Sequence, residues 1–196
     1  MKKRRYFTLD GLDATGKTTL VSLISKKYRV DITRAPLTSW EQLRPFFEEK
    51  SLWLRFGYFA LGNILTDTKV RLTERASENT PLLQDRSWLT TLSAHELRGL
   101  NTPWLSIGKT LAKKCSVPDL AIIIHVDTKE RYQRLRKRAF FTITDKQNLR
   151  FENKMEKYYL SWASRLGWRT YIFDNTYLTA QEAATKLAKI LKLEKC

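Results

Sequence analysis

Residues 11–18 have the sequence Gly11-Leu12-Asp13-Ala14-Thr15-Gly16-Lys17-Thr18, which matches the pattern of a phosphate-binding loop. The extended run Tyr6–Leu9 precedes this stretch, and a helix-like, apolar stretch follows it from Thr19 onward. In this arrangement glycines let the backbone wrap an anion, and the following helix adds free N–H groups and the positive end of its dipole. The stretch therefore predicts a nucleoside triphosphate site between a first strand and a first helix.

Several residues of this loop have an expected partner. We expect Lys17 to reach the β- and γ-phosphates and the hydroxyl of Thr18 to ligate Mg²⁺. Asp13 carries a negative charge that repels phosphate, so we expect its side chain to face a polar group such as a sugar hydroxyl. The alternative is a turn-forming Asp whose side chain accepts a hydrogen bond from its own backbone. The predicted triphosphate-binding set is Gly11, Asp13, Ala14, Thr15, Gly16, Lys17, Thr18 and Thr19.

The composition favours a single folded domain over residues 1–196. Hydrophobic residues make up 42% of the 196 residues, which suits a substantial core. No apolar run approaches the roughly 20 residues that a membrane span needs, and the basic start of the chain does not resemble a targeting signal. Cys115 and Cys196 are too few for a disulfide framework or a zinc site, so a reducing cytoplasm is the expected compartment.

The formal net charge is +16, which is high for a chain of this length. Such a charge admits nucleic acid, an anionic surface or anionic small substrates as partners. The sequence shows no RNA-binding aromatic motif and no zinc-finger spacing, so nucleic acid is not the favoured partner. We expect a nucleotide site to use a few of these charges, and the rest to be solvated surface.

Strand and helix signals alternate along the chain, which predicts an α/β fold with a mostly parallel sheet. The clearest strand is Asp119–Val126, an apolar, β-branched run typical of a central parallel strand. Thr179, with Glu182 three residues later, has the pattern of a capping box at the start of the last helix. The other predicted strands are Tyr6–Leu9, Val30–Thr33, Pro81–Asp85 and Thr170–Phe173, and the predicted helices are Thr18–Lys27, a mainly helical Ser39–Glu78, Trp88–Leu97, Lys129–Ala139, Lys146–Arg165 and Thr179–Leu193.

Asp85 and Arg86 follow the apolar run of the predicted third strand. Groups at the carboxyl ends of neighbouring parallel strands face the same crevice, which places Asp85 near Lys17 and Thr18. A carboxylate there can hold Mg²⁺ directly or through water, and Arg86 can clamp a phosphate with two parallel hydrogen bonds. The alternative is a surface ion pair after a strand.

Two helices supply the remaining candidates. Phosphoryl transfer needs positive charge over the transferring group and exclusion of water, which an arginine-bearing lid supplies. Arg134 and Arg138 lie four residues apart on one face of the basic helix, and we expect these two to reach phosphate. The aromatic stretch 53–59 is expected to be mostly core, with Phe59 a candidate to stack on a base and Arg55 a candidate to meet a phosphate.

These residues together resemble the thymidylate kinase family of nucleoside monophosphate kinases, with the phosphate loop most similar to the mitochondrial UMP-CMP kinase branch. The likeness runs in the same order along essentially the whole chain. Its motifs are Asp10–Thr19, Ala60-Leu61-Gly62-Asn63, Asp85-Arg86, Pro118-Asp119-Leu120, Glu130-Arg131, Arg134-Leu135, Arg138, Phe151, Lys154, Tyr159-Leu160 and Ala163.

The resemblance implies a P-loop fold: a doubly wound, parallel five-stranded sheet flanked by helices, with a helical lid. It implies transfer of the γ-phosphoryl group of ATP, with Mg²⁺, to a nucleoside monophosphate such as dTMP or another pyrimidine nucleotide. It also implies a homodimer, formed through helices such as Ser51–Thr66.

The resemblance further implies a role for each matching residue. Lys17, Gly16 and Thr18 hold ATP and Mg²⁺, Asp85 supports the metal, and Asp13 accepts a hydrogen bond from the sugar 3′-hydroxyl. Because Ala14 occupies the loop position where some members carry a catalytic arginine, the catalytic arginine is expected in the lid. The implied catalytic set is Lys17, Arg86, Arg134 and Arg138, and the implied substrate-binding set is Asp13, Arg34, Arg55, Phe59 and Arg86.

Three departures from the family leave the base and the sugar open. Ile64 stands where thymidylate kinases carry an arginine that recognises thymine, and Ser87 stands where an aromatic residue is usual. The tyrosine that crowds a ribose 2′-hydroxyl has no clear counterpart near Thr90–His95.

Asp85-Arg86-Ser87 is also similar to the acid-Arg-Ser signature of deoxynucleoside kinases, whose carboxylate acts as a base on a sugar 5′-hydroxyl. The alternatives are a deoxynucleoside kinase, or a nucleotide-binding P-loop protein with a non-nucleotide acceptor or a nucleic-acid partner.

Overall fold

A computed structural model describes residues 4–76, 80–137 and 152–196 of the chain. Five strands form one parallel sheet, as predicted, and their order is β2-β3-β1-β4-β5. The carboxyl ends of these strands therefore open on one edge of the sheet, where α/β proteins bind their ligands. The strands are β1 (Tyr6–Gly11), β2 (Asp31–Arg34), β3 (Leu82–Asp85), β4 (Leu120–His125) and β5 (Thr170–Asp174).

Helices cover both faces of the sheet, so the fold is doubly wound. The described residues contain a 3₁₀ segment at Thr38–Leu43 and eight α-helices. The α-helices are α1 (Lys17–Lys27), α2 (Arg44–Glu48), α3 (Leu52–Ala76), α4 (Trp88–Leu97), α5 (Thr102–Lys114), α6 (Thr128–Arg136), α7 (Glu152–Leu166) and α8 (Ala180–Ile190). Within the described ranges, none of them is long and apolar enough to cross a membrane.

The central strand β4 shows why the sheet has two cores. Successive side chains of a strand point to opposite faces, so its apolar run serves both sides. Ala121 and Ile123 pack with α3, α4, α5 and α7, whereas Ile122 and Ile124 pack with α1 and α8. All four residues are buried. The continuous apolar run that predicted a central parallel strand therefore has a physical cause: neither face of β4 meets water.

Several predicted boundaries need correction. The mainly helical region Ser39–Glu78 is divided into the 3₁₀ segment, α2 and α3, rather than forming one run. The basic helix α6 ends at Arg136. Arg138 and segment 139–145, which follows this helix and belongs to the expected lid, lie outside the described residues.

The predicted capping box at the last helix is present: Thr179 Oγ1 accepts from the Glu182 N–H, and Glu182 Oε2 accepts from the Thr179 N–H at 2.9 Å.

Helix α5 is an element that the sequence analysis did not assign. It begins after Asn101 with a proline in its first turn, and its buried positions are Leu105, Gly108 and Ala112. These positions recur at spacings of three and four residues, so the sequence carried a helical signal that the analysis did not use, and the helix packs against α4. Gly108 is required there because a Cβ would lie 2.6 Å from Cζ of Phe56.

Two glycine substitutions test this packing. We expect Gly108→Ala to lower the free energy of unfolding by about 1–3 kcal/mol, because the added methyl group overpacks the core against Phe56 and Leu92. Gly57→Ala is the matched control, since a Cβ at Gly57 in α3 has no atom within 4 Å and replaces a poor helix former. We expect it to raise the free energy of unfolding by about 0.5–1 kcal/mol. Denaturant unfolding measures both, and equal effects would contradict the close packing of α5.

Candidate active site

The predicted phosphate loop connects β1 to α1 and has the backbone conformation that its glycines allow. Gly11 has φ 145°, and a Cβ there would lie 2.7 Å from the carbonyl oxygen of Ile124. Gly16 has φ 93° and is the N-cap of α1. Ala14, between them, has φ 65°, a left-handed conformation that is uncommon for a residue with a side chain. Such conformations cluster at functional sites, where the surrounding structure holds them in place.

Side chains fix the loop from inside and from β5. The Thr15 hydroxyl donates to the carbonyl oxygen of Leu12 at 2.8 Å, and Asn175 Nδ2 donates to the carbonyl oxygen of Thr15 at 2.8 Å. Lys17 Nζ donates to the carbonyl oxygen of Gly11 at 2.8 Å and to that of Leu12. Lys17 therefore lies folded over the loop, with its ammonium group beside the backbone that would surround a phosphate.

Burial disfavours the protonated form of Lys17. Burial, with the positive charge of Arg86 acting in the same direction, lowers the pKa of Lys17 from its ordinary value of 10.5 to about 7. The nearby carboxylates of Asp13, Asp85 and Asp10 act in the opposite direction. A triphosphate placed in the loop would add negative charge beside Nζ and stabilise the protonated form.

Thr18 and Asp85 fit a magnesium site. Both line one cleft, into which Thr18 projects from the first turn of α1 and Asp85 from the end of β3. Asp85 is buried, and its Oδ1 has no hydrogen-bond partner among the described residues. A free carboxylate oxygen beside a hydroxyl is a donor set that Mg²⁺ prefers. No group of three or more potential ligand side chains is found within residues 4–76, 80–137 and 152–196, so phosphate and water oxygens would complete the coordination.

Asp10, which the sequence analysis did not place in the site, joins the phosphate loop strand to α4. Its carboxylate is fully buried and accepts hydrogen bonds from the N–H and the hydroxyl of Ser87, at 2.9 and 2.7 Å. It also accepts from the Thr90 hydroxyl at 2.6 Å and, more weakly, from the Thr90 N–H at 3.2 Å. Burial raises the pKa of Asp10, and the hydrogen bonds from Thr90 and Ser87 oppose that shift. Asp10 therefore fixes the start of α4 relative to the end of β1.

Arg86 lies between β3 and α4 and reaches the phosphate loop. Its backbone has φ 65°, and its Nη2 donates to Asp13 Oδ1 at 2.6 Å. Burial disfavours the charge on Asp13, but the positive charges of Arg86 and Lys17 hold its pKa well below the ordinary value. The Asp13 carboxylate thus points toward Arg86 and the cleft beside the loop.

That cleft, which we call the acceptor cleft, brings all five predicted substrate-binding residues together. Asp13, Arg34, Arg55, Phe59 and Arg86 line it at the carboxyl ends of β1, β2 and β3 and along α3. The sequence analysis did not assign several other lining residues to the site, because no pattern showed which way their side chains face; Tyr159 was part of a family motif but had no assigned role. They include Glu41, Arg44, His95, Arg98, Met155 and Tyr159.

The arginines of the acceptor cleft are largely paired with carboxylates. Arg34 Nη2 lies 3.0 Å from Glu41 Oε1, and Arg34 Nε lies 3.8 Å from Asp85 Oδ2. Glu48 is shared between two arginines, at 2.8 Å from Arg44 Nε and 3.6 Å from Arg55 Nη2. Five arginines nevertheless line the cleft against two carboxylates, Asp13 and Glu41, so its charge is positive.

The basic helix α6 contacts the phosphate loop through a residue that was not predicted. Arg131 is buried, and its Nη1 donates to the backbone carbonyl of Asp13 at 3.0 Å. Arg134, which was predicted to reach phosphate, donates to Glu130 Oε1 at 2.9 Å and to the carbonyl oxygen of Asn175 at 2.9 Å. Both guanidinium groups therefore lie at the loop, and the role of Arg134 toward phosphate stays a prediction.

The other aromatic residues of stretch 53–59 divide between core and surface. Phe56 and Tyr58 are buried, as predicted, but Trp53 is 48% exposed, which corrects the expectation that its ring is core. Its indole stacks on Trp104 of α5 with ring centroids 6.0 Å apart.

The loop, the buried lysine and the acceptor cleft define a P-loop kinase. A sequence model of the deoxynucleoside kinase family matches residues 7–192, so the chain belongs to that family. It is also 28% identical over 158 residues to a probable thymidylate kinase of Pyrococcus horikoshii, covering 73% of this chain and 76% of the relative.

Solved thymidylate kinases share the fold. The enzyme from Candida albicans superposes with a TM-score of 0.74 at 17% identity, covering 97% of this chain and 92% of that structure. The enzyme from Ehrlichia chaffeensis superposes with a TM-score of 0.66 at 16% identity, covering 96% and 99%. The predicted likeness to thymidylate kinases is therefore confirmed, while the closer likeness to the mitochondrial UMP-CMP kinase branch stays a prediction.

The pKa of Lys17 makes a prediction for stability. Between about pH 7 and pH 10.5 the unfolded chain keeps a proton on this lysine that the folded chain has lost, so its contribution to the free energy of unfolding rises with pH. We expect the free energy of unfolding of the native protein to rise with pH relative to that of Lys17→Met, by about 1 kcal/mol per pH unit in this range. Denaturant unfolding of both proteins at pH 7, 8 and 9 measures it. A difference that is independent of pH would show that Lys17 keeps its ordinary pKa.

Proposed function

We propose that this protein transfers the γ-phosphoryl group of Mg-ATP to a nucleoside monophosphate, with dTMP or another pyrimidine nucleotide as the acceptor. The observation that carries the proposal is the acceptor cleft itself, which opens beside the phosphate loop and is lined by five arginines. An acceptor that brings its own phosphate requires such charge next to the loop, whereas an uncharged acceptor does not.

Two of these arginines stand where the acceptor phosphate would lie. Arg34 ends β2, and Arg86 follows the end of β3, the strand that pairs with β2. A guanidinium group can bind a phosphate with two parallel hydrogen bonds, so this pair suits a phosphate monoester. In the proposed complex the acceptor phosphate replaces Glu41 as the partner of Arg34 and replaces Asp13 as the partner of Arg86. Asp13 is then free to accept from the sugar 3′-hydroxyl, as the resemblance implies.

The proposed chemistry is positioning and charge stabilisation, because phosphoryl transfer leaves little covalent work for the protein. Bound Mg²⁺ would neutralise charge on the phosphates at Thr18 and Asp85. Lys17 holds the transferring phosphoryl oxygens once it leaves the loop carbonyls, and Arg86 aligns the acceptor phosphate for attack. Arg131 stabilises the loop through its hydrogen bond to the carbonyl oxygen of Asp13. Arg134 and Arg138 are the proposed lid arginines.

A deoxynucleoside kinase is the second candidate, and two observations favour it. The family model that matches residues 7–192 carries that name, and Asp85-Arg86-Ser87 is similar to its signature. In such an enzyme Asp85 would act as the base on a sugar 5′-hydroxyl. Asp85 instead lies 3.8 Å from Arg34 Nε and shares its cleft with Thr18, which suits metal support better than proton removal. A P-loop protein with a non-nucleotide acceptor or a nucleic-acid partner is the third candidate, and only the charge of +16 favours it.

Three coarser properties complete the proposal. We propose that residues 1–196 work as one kinase domain, and that the cytoplasm is its compartment, because both cysteines are free thiols. We also propose a homodimer through α3, whose Trp53, Leu61 and Leu72 are exposed apolar side chains. Light scattering that finds a monomer at working concentrations would remove the dimer from the proposal.

An acceptor panel tests the function directly. ADP release is measured with Mg-ATP and each common ribo- and deoxyribonucleoside monophosphate, with the free nucleosides offered alongside. We expect fast turnover on one or a few pyrimidine monophosphates, because only a phosphate-bearing acceptor uses Arg34 and Arg86. Turnover only on nucleosides would establish the deoxynucleoside kinase instead. If no candidate gives ADP release although the protein binds ATP, the acceptor is of another kind.

Substitution of the loop lysine tests the proposed catalytic site. We expect Lys17→Ala to lower the rate by about 100-fold or more, the scale of losing one main electrostatic donor to the transition state. The matched control is Lys27→Ala at the other end of α1, which is exposed and bonds Gln181. We expect the control to stay within about twofold of the native rate, as surface substitutions do. A Lys17→Ala rate within threefold of the native rate would place catalysis elsewhere.

A further inference from the structure

His95 lies in the acceptor cleft, away from the phosphate loop. Helix α4 starts at the loop, where Asp10 holds Ser87 and Thr90. At about 1.5 Å per residue, His95 stands about 10 Å along the helix from Trp88. Phe59 and Arg98 line this cleft together with His95, as do Arg34 and Arg86, the proposed phosphate-binding residues, at the ends of β2 and β3.

The hydrogen bond of the ring settles its tautomer. His95 Nδ1 lies 2.6 Å from the carbonyl oxygen of Thr91, one turn earlier on the same helix. A carbonyl oxygen only accepts, so Nδ1 carries the proton and donates it. The other nitrogen, Nε2, then has a lone pair whenever the ring is neutral. Burial keeps it neutral, lowering the pKa of His95 to about 3, with the positive charges of Arg55 and Arg98 acting in the same direction.

This lone pair has no partner among residues 4–76, 80–137 and 152–196. His95 is 2% exposed, and its Nε2 has no hydrogen-bond partner in the part of the chain that the structure describes. A buried acceptor without a partner is costly, so its persistence beside a cleft points to a ligand that supplies the donor.

The neighbours of His95 are suited to a flat, polar ring. Phe59 lies beside the imidazole, with ring centroids 5.8 Å apart, and it lines the same cleft. Arg55 and Arg98 also line the cleft, and both are close enough to influence the charge on His95. The cleft around His95 therefore combines the Nε2 acceptor with guanidinium donors and an aromatic ring.

We propose that His95 determines which base the acceptor carries: its Nε2 accepts a hydrogen bond from a ring N–H of the base, and the substrate class is a monophosphate with an imide base. This inference rests on the proposed function. An imide ring N–H is flanked by two carbonyl oxygens, which complement one acceptor between arginine donors. A cytosine ring would instead place a nitrogen lone pair against Nε2.

The experiment compares substrates that differ at this ring nitrogen: the N3-methyl compound replaces the N–H by N–CH₃, and the cytosine counterpart lacks the N–H and has an amino group in place of the adjacent carbonyl oxygen. The value of kcat/KM is measured for dTMP or UMP, whichever the native protein uses better, and for its N3-methyl and cytosine counterparts. We expect the native protein to prefer the imide over the N3-methyl compound by at least about 100-fold, because a site built around one hydrogen bond rejects an analogue that lacks it. His95→Phe should lower kcat/KM on the imide by about 10- to 100-fold and reduce that preference at least tenfold.

Two further variants separate base recognition from a general packing defect. His95→Gln offers a side-chain carbonyl oxygen as an acceptor, and we expect it to recover part of the preference. Ser93→Ala changes a residue that is buried on the same helix but does not line the cleft, and we expect it to keep the native preference. If His95→Phe does not fold, His95→Gln decides: it moves the acceptor to a longer side chain, so a preference identical to that of the native protein would overturn the role of His95.

The outcomes distinguish this inference from the function on which it rests. Fast turnover with no preference for the imide over its N3-methyl or cytosine counterpart would overturn the role of His95 and leave the proposed function standing. An undiminished preference in His95→Phe would also overturn it. Failure of the native protein to phosphorylate any monophosphate would overturn the proposed function, and the inference with it.

Discussion

The buried carboxylate of Asp10 is the interaction on which the geometry of the site depends. It ends the strand that leads into the phosphate loop, and its hydrogen bonds hold the N–H and hydroxyl groups of Ser87 and Thr90 at the start of α4. Because Arg86 directly precedes Ser87, the same bonds set the direction in which its guanidinium group reaches Asp13. The donor side and the acceptor side of the site are therefore joined through one buried group. Removing a carboxylate of this kind would leave several buried donors unsatisfied, which costs more than the bonds themselves contribute.

The acceptor cleft shows how a folded chain keeps several like charges close together. Glu41 and Glu48, in the segment between β2 and α3, pair with Arg34, Arg44 and Arg55, and Asp13 pairs with Arg86. Without these carboxylates the arginines would repel one another in a partly buried site. An anionic ligand would replace some of the pairs with stronger, phosphate-directed hydrogen bonds. This arrangement explains why a segment that carries no motif nevertheless shapes the site.

Sequence reasoning identified those parts of the fold and site that depend on local patterns. The phosphate loop, the apolar run of β4 and the capping box at Thr179 each depend on residues that are neighbours in the chain, and the structure shows all three. The same reasoning did not assign α5, although its buried positions Leu105, Gly108 and Ala112 follow the helical spacing. It also missed Arg44, His95, Arg98 and Arg131, since a single polar residue on a helix gives no indication of the direction that its side chain faces.

The sequence alone determined that this chain has a P-loop, that a parallel sheet supports it, and which charged residues follow the strands. These are consequences of spacing, because strand ends and loop glycines act on their immediate neighbours. Only the tertiary structure decided what meets across the acceptor cleft: Arg131 at the loop, Glu41 and Glu48 between arginines, and the unpartnered Nε2 of His95. Asp13 and Arg131 are 118 residues apart in the chain, and a side chain on a helix faces a given cleft only once the helices have packed on the finished sheet.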